Sequence, residues 1–137
     1  MTINQFEKNS MNSLKIMIIE DEEDICDLLS DYLEMKGFEN ISKIFTGKEA
    51  MTRIQSEKPD IIFLDIQLAD NIRGMEVLKK IKEILPHTQV VMMSAYQEEY
   101  GQKSQELGAY GFLRKPFRAD ALDQILHKII NNRKGES

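Results

Sequence analysis

Three short runs of this 137-residue chain are apolar without a break: Ile16-Met17-Ile18-Ile19 after Lys15, Ile61-Ile62-Phe63-Leu64, and Val90-Val91-Met92-Met93. Each has the length of a strand and falls short of an ordinary helix. A strand with one wet face alternates apolar and polar residues, whereas a strand covered on both faces does not. The three runs therefore call for parallel strands with helices above and below, which confines the chain to the α/β class.

The intervening segments switch to helical periodicity. Ile25, Leu28, Leu29, Tyr32 and Leu33 recur at helical spacing and are expected on one inward face. Glu22, Glu23 and Asp24 favour the positive end of that helix, and Gly37 ends it. A second helix is predicted over Lys48 to Glu57, stopped by Pro59. A third covers Met75 to Leu85, with Val77, Leu78, Ile81 and Leu85 inward. The last runs from about Arg118 to Ile130, its stripe made of Ala121, Leu122, Ile125, Leu126 and Ile129. Gln97 to Leu107 contains Gly101 and has few anchors beyond Tyr100 and Leu107, so a marginal, movable helix is expected there. Weaker strand signals at Ile41 to Phe45 and at Tyr110 to Leu113 complete five βα units. The right-handed crossover rule makes of these an open, doubly wound parallel sheet within a single domain.

Composition narrows the function classes. Lys plus Arg is 18 against 23 Asp plus Glu, a net charge of −5, which argues against direct nucleic-acid or anionic-membrane binding through bulk charge. Cys26 is the single cysteine, so no intrachain disulfide forms and no thiolate metal site is available, as in a reducing, cytoplasmic setting. No stretch nears the run of about 18 apolar residues that a membrane span needs. Residues 1–13 and 132–137 are read as flexible, solvated tails.

In open α/β sheets function gathers at the carboxyl ends of the strands. Here the strand ends carry Glu20-Asp21, Asp65, Ser94-Ala95 and Arg114-Lys115-Pro116. Carboxylates about 4 Å apart repel by roughly 4 kcal/mol per pair at an effective dielectric near 20. A hard divalent cation offsets that repulsion, and clustered carboxylates with open water positions suit Mg²⁺. Asp65 leaves the most apolar strand and is expected mid-sheet. With a cation, a lysine and a hydroxyl around it, it is the candidate nucleophile for phosphoryl transfer.

At these residues the chain resembles the CheY-like receiver domain of two-component response regulators. The resemblance spans about residues 14 to 131 and rests on Ile18-Ile19-Glu20-Asp21, on Pro59-Asp60-Ile61-Ile62-Phe63-Leu64-Asp65-Ile66, on Met93-Ser94-Ala95, and on Gly108-Ala109 leading to Lys115-Pro116-Phe117. It implies a flavodoxin-like sheet of strand order 2-1-3-4-5. It implies a phosphoryl group accepted on Asp65 from a sensor histidine kinase, a histidine phosphotransfer protein or a small phosphodonor. Mg²⁺ would be held by Asp21, Asp65 and the backbone carbonyl of Gln67, with Glu20 acting mainly through water. Lys115 and Ser94 would meet the phosphoryl oxygens. Phe112, three residues before the lysine, would fill the space that Ser94 vacates. The face of the fourth helix, fifth strand and fifth helix would then engage a downstream protein, as a monomer or a phosphorylation-dependent dimer.

The chain departs from the family pattern in three places. Phe112 lacks the hydroxyl of the frequent Tyr. The stretch Asp65 to Gly74 is one residue longer than the commonest form, with Ala69 in place of Pro. Tyr110 and Gly111 replace the acidic residues through which the winged-helix subfamily dimerises. The expected function is a phosphoacceptor signalling domain with no output domain and no enzymatic activity beyond its own phosphorylation and dephosphorylation. The alternative is a receiver cut from a longer regulator or hybrid kinase. An aspartate-nucleophile phosphatase is disfavoured by Gln67, where a second Asp would stand. A flavin or nucleotide module is disfavoured by the acidic loop after strand one. His87 and His127 are expected at the surface, and Cys26 in packing.

Overall fold

The computed structural model describes residues 11–68, 70 and 72–135. Five strands, β1 (Lys15–Ile19), β2 (Asn40–Ile44), β3 (Ile61–Asp65), β4 (Gln89–Ser94) and β5 (Gly111–Arg114), form one parallel sheet in the order β2-β1-β3-β4-β5. Between and after them lie α1 (Glu23–Met35), α2 (Gly47–Glu57), α3 (Gly74–Ile84), α4 (Gln97–Glu106) and α5 (Ala119–Gly135). The expected doubly wound fold and strand order are both present.

The uninterrupted apolar runs resolve into two cores, because successive side chains of a strand point to opposite faces. Ile16, Ile18, Ile61, Phe63, Val91 and Met93 meet Leu29 and Leu33 of α1 and Leu122, Ile125, Leu126 and Ile129 of α5. Met17, Ile19, Ile62, Leu64, Val90 and Met92 meet Ala50 and Ile54 of α2 and Val77, Leu78 and Ile81 of α3. Each fully buried aliphatic side chain contributes about 1.5–3 kcal/mol. The two strands with weak sequence signals, β2 and β5, are the sheet edges, and their side chains are the more exposed.

Local signals account for the helix ends. Gly37, at φ +109°, lets α1 finish with Gly37 N–H donating to Glu34 O and Phe38 N–H to Leu33 O, and Phe38 closes the turn as a buried cap. Thr46 accepts from Glu49 N–H at 3.1 Å at the start of α2. The expected marginal helix does form as α4; Ser104 is its buried side chain, with Tyr100 half-buried.

Three expectations need correction. Leu28 is 63% exposed, while Cys26 is fully buried. The inward row of α1 is Cys26, Leu29, Ser30 and Leu33, and Leu28 stands a quarter-turn outside it. The N-terminal tail does not extend to residue 13, because Met11 is buried and its methyl group lies beneath Gly37. At the other end α5 continues to Gly135, so the tail does not start at residue 132; Arg133 donates to Gln89 Oε1 at 3.0 Å and to the carbonyl of Asp60 at 3.2 Å. Residues 1–10, 136 and 137 lie outside the described residues.

Burial pushes the Cys26 thiol up to about 11. The folded protein is therefore expected to resist a thiol-specific reagent at pH 8, and the urea-unfolded protein to react stoichiometrically. Equal labelling rates with and without urea would contradict the packing of α1.

Candidate functional site

The centre of the sheet delivers the acidic groups. β1 ends at Ile19, and Glu20 N–H donates to Ile44 O at 3.0 Å, so pairing with β2 fixes the backbone from which Glu20 and Asp21 project. Asp65 is the last residue of β3, the middle strand, and pairs with Met93 of β4. Carboxylate oxygens of Glu20, Asp21 and Asp65 lie within 4.8 Å of one another. Lys115 follows β5, and its N–H donates to Ser94 O at 2.9 Å, which carries its side chain back across the sheet end. Its ammonium forms ion pairs with Glu20 and, at 3.2 Å, with Asp65 Oδ2.

Burial makes this cluster electrostatically demanding. Glu20 is fully buried and Asp65 is 3% exposed, while Asp21 is partly open to solvent. Burial, reinforced by the Asp65 carboxylate, raises the Glu20 carboxyl above its usual range despite the opposing Lys115 ammonium. Burial and the neighbouring Glu20 raise that of Asp21. Burial would lower Lys115, but Glu20 and Asp65 outweigh it and hold the ammonium above its ordinary value. One ammonium faces three carboxylates, so the pocket keeps an unmet demand for positive charge.

The segment after Asp65 is tied down at several points. Gln67 N–H donates to Asp65 Oδ1 at 3.0 Å, and Ile66 N–H donates to Met93 O at 3.0 Å. Gly74 opens α3 against the end of β3; a Cβ there would stand 2.2 Å from the Asp65 carbonyl, so only glycine fits. Asp70 accepts from Gly47 N–H at 3.2 Å and from Lys48 N–H at 3.0 Å. No local sequence pattern announced that tie, because Asp70 caps a helix that starts 23 positions earlier in the chain. Ala69, singled out above, lies outside the described residues.

The other predicted residues fall close by. Ser94, at the end of β4, is fully buried, and its hydroxyl oxygen accepts from Tyr96 N–H at 3.0 Å. Phe112 is half-buried against the core on the α2–α4 side, opposite Met92 in the β4–β5 register. Glu20, Asp21, Asp65 and Lys115 are thus brought together, Gln67 joins them through its backbone N–H, and Ser94 and Phe112 lie on the adjoining strands. His87 and His127 are exposed.

A five-stranded doubly wound sheet with an acidic, lysine-bearing pocket at the carboxyl end of its middle strand defines a flavodoxin-like domain. Comparison with known proteins agrees, and this chain belongs to the response regulator receiver domain family, whose model matches residues 16–127. Such domains are the signalling phosphoacceptors of two-component systems. The chain is 31% identical over 121 residues to sporulation initiation phosphotransferase F of Bacillus subtilis, a match covering 88% of this chain and 96% of that protein. It is 36% identical over 104 residues to the alkaline phosphatase synthesis transcriptional regulatory protein PhoP of the same species. That match covers 75% of this chain but 42% of the regulator's length. Among solved structures, the receiver domain of NtrX from Brucella abortus superposes with a TM-score of 0.79 at 33% identity, covering 85% of this chain and 98% of that domain. No helix among the described residues is long and apolar enough to cross a membrane.

Proposed function

We propose that this domain accepts a phosphoryl group on Asp65 from a histidine kinase or histidine phosphotransfer protein and relays it as a change of protein-binding surface. The observation that carries the reading is the convergence of Glu20, Asp21, Asp65 and Lys115 at the end of the central strand. The match along nearly the whole length of a relative named as a phosphotransferase supports it.

The donor set fits Mg²⁺: three oxygen ligands, two of them buried, with solvent access beside Asp21 and a net negative charge left after Lys115 is counted. Asp21, Asp65 and the Gln67 carbonyl would hold the ion, with Glu20 behind them, and the bound ion would supply positive charge to the phosphoryl oxygens. Asp65 provides the attacking oxygen; the new O–P bond forms as the donor's bond to phosphorus breaks, and the donor leaves with that electron pair. The Lys115 ammonium, already 3.2 Å from Asp65 Oδ2, is placed to accompany charge onto the transferred group. Its attachment to Ser94 O through the backbone N–H couples the pocket to the end of β4.

Ser94 carries the switch in this reading. Its hydroxyl oxygen accepts from Tyr96 N–H before phosphorylation, and rotation of the side chain to donate its O–H to an aspartyl phosphate takes that acceptor away. Release of Tyr96 N–H alters the entry to α4, the helix with the fewest buried anchors, and frees space for Phe112. A cleft of about 910 Å³ between α4 and β5, lined in part by Glu98, Gln105, Tyr110 and Phe112, lies on the face proposed for the downstream partner.

Incubation with acetyl phosphate and Mg²⁺, followed by intact-mass measurement, is expected to show a single phosphoryl adduct that a chelator prevents. An adduct of equal yield in the presence of chelator would remove the proposed role of the acidic pocket.

A further inference from the structure

The segment from Asp65 to Gly74 is joined to a helix that takes no direct part in the site, and one side chain makes the join. The Asp70 carboxylate receives two N–H groups from the first turn of α2, Gly47 at 3.2 Å and Lys48 at 3.0 Å. Thr46 Oγ1 takes the third, from Glu49 at 3.1 Å, and Thr46 O accepts the first intrahelical bond, from Ala50 at 3.1 Å. The open N–H groups of the first three residues of α2 are thereby filled, two of them by a residue of the phosphoacceptor segment. A carboxylate at that end also meets the positive pole of α2.

The packing repeats the same join. A Cβ on Gly47 would stand 2.8 Å from Ile72 Cβ and 3.0 Å from Ile72 O, so the first residue of α2 is bare where the segment crosses it. Gln67 lies three residues before Asp70 and donates its N–H to Asp65 Oδ1. The stretch that carries Gln67 is thus pinned by Asp65 at one end and by α2 at the other.

We infer that Asp70 is a positioning residue that holds the Gln67 backbone in register with the acidic pocket by clamping its segment to the N-terminus of α2. The inference rests on the proposed Mg²⁺-dependent phosphoacceptor reading and adds to it the group that orients one arm of the cation site. Ligands are held by the partners behind them, and loss of such partners typically costs 10- to 100-fold in metal affinity. Asp70 acts on a backbone carbonyl at one remove, so Asp70→Ala is expected to weaken Mg²⁺ binding by about tenfold, the low end of that range. Asp70→Asn keeps one of the two accepting oxygens and sets an NH₂ donor against the other N–H, so it is expected to restore the affinity only in part.

The decisive comparison is with Thr46→Ala, which removes a cap from the same helix start without touching the segment after Asp65. Mg²⁺ affinity of the unphosphorylated protein is read by calorimetric titration, and folding by thermal melting of the same samples. Asp70→Ala and Thr46→Ala are both expected to lower the melting temperature, but only Asp70→Ala is expected to shift the Mg²⁺ affinity. Gly47→Ala attacks the join from the helix side with Asp70 intact, and is expected to shift the affinity in the same direction. It replaces Asp70→Ala if that variant does not fold.

Mg²⁺ affinity unchanged in Asp70→Ala, or lowered equally in Thr46→Ala, would overturn the inference while leaving the phosphoacceptor reading intact. Absence of both Mg²⁺ binding and a phosphoryl adduct in the wild type would overturn the two together.

Discussion

Asp65→Asn is expected to abolish phosphoryl incorporation while making the cation-free protein more stable. The first effect is total, because an amide oxygen does not form the acyl phosphate and no other described side chain of the cluster ends the central strand. The second follows from charge. Glu20 and Asp21 stand within 4.8 Å of Asp65, and among the described residues the cation paired with it is Lys115, at 3.2 Å. Removing one charge deletes two repulsions and one attraction. Each such pair is worth up to roughly 4 kcal/mol at an effective dielectric near 20, so a net gain on the order of 2 kcal/mol is expected. Mg²⁺ should correspondingly stabilise the variant less than it stabilises the wild type. Intact mass after exposure to acetyl phosphate reads the first effect, and urea unfolding with and without Mg²⁺ reads the second. A full-stoichiometry adduct in the variant would place the acceptor elsewhere. A variant less stable than the wild type without Mg²⁺ would mean that the Lys115 contact outweighs the repulsion.

The parts of this fold that the sequence displays are those where one physical requirement dominates. Ile61 to Leu64 is buried on both faces and therefore shows no alternation, which identified the central strand and, with it, Asp65. The edge strands β2 and β5 have a mixed burial pattern, so their signals were weak, and β5 begins at Gly111 rather than Tyr110. Leu28 misled because periodicity reports that a stripe exists but not where its centre lies against the sheet. Met11 and Arg133 misled because polar flanks hide single anchors: one methionine fills a gap under Gly37, and one guanidinium reaches Asp60 and Gln89.

The site divides in the same way. Its charged groups were legible because each stands at or just past the end of a strand, where topology assigns function whatever the side-chain geometry. What was hidden are relations between elements distant in sequence. The burial of Glu20 against Lys115 depends on a lysine after β5 reaching past the ends of β4 and β3 to that of β1, and the Asp70 clamp depends on a loop reaching a helix that precedes it. Hydrogen bonds of that kind leave no periodicity behind, since one aspartate in a polar loop reads like any other turn residue.

Lys115→Met is expected to destabilise the cation-free protein by about 3–5 kcal/mol, the usual result of leaving one member of a buried ion pair without its partner. Glu20 is fully buried and the Lys115 side chain is 16% exposed, so water does little to replace the lost ammonium. Mg²⁺ should recover much of that loss, since the ion brings positive charge to the same carboxylates, and the stability of the variant should depend more steeply on Mg²⁺ than that of the wild type. Glu20→Gln made in the same chain removes the orphaned charge and is expected to restore most of the stability, giving a coupling between the two substitutions on the order of 1–3 kcal/mol. Phosphoryl transfer to Asp65 should slow in Lys115→Met whether or not Glu20 is also changed, because the transferred oxygens lose their ammonium partner in both. Urea unfolding of the four proteins closes the cycle. A Lys115→Met protein as stable as the wild type without Mg²⁺ would mean that the lysine serves the phosphoryl group without holding the fold.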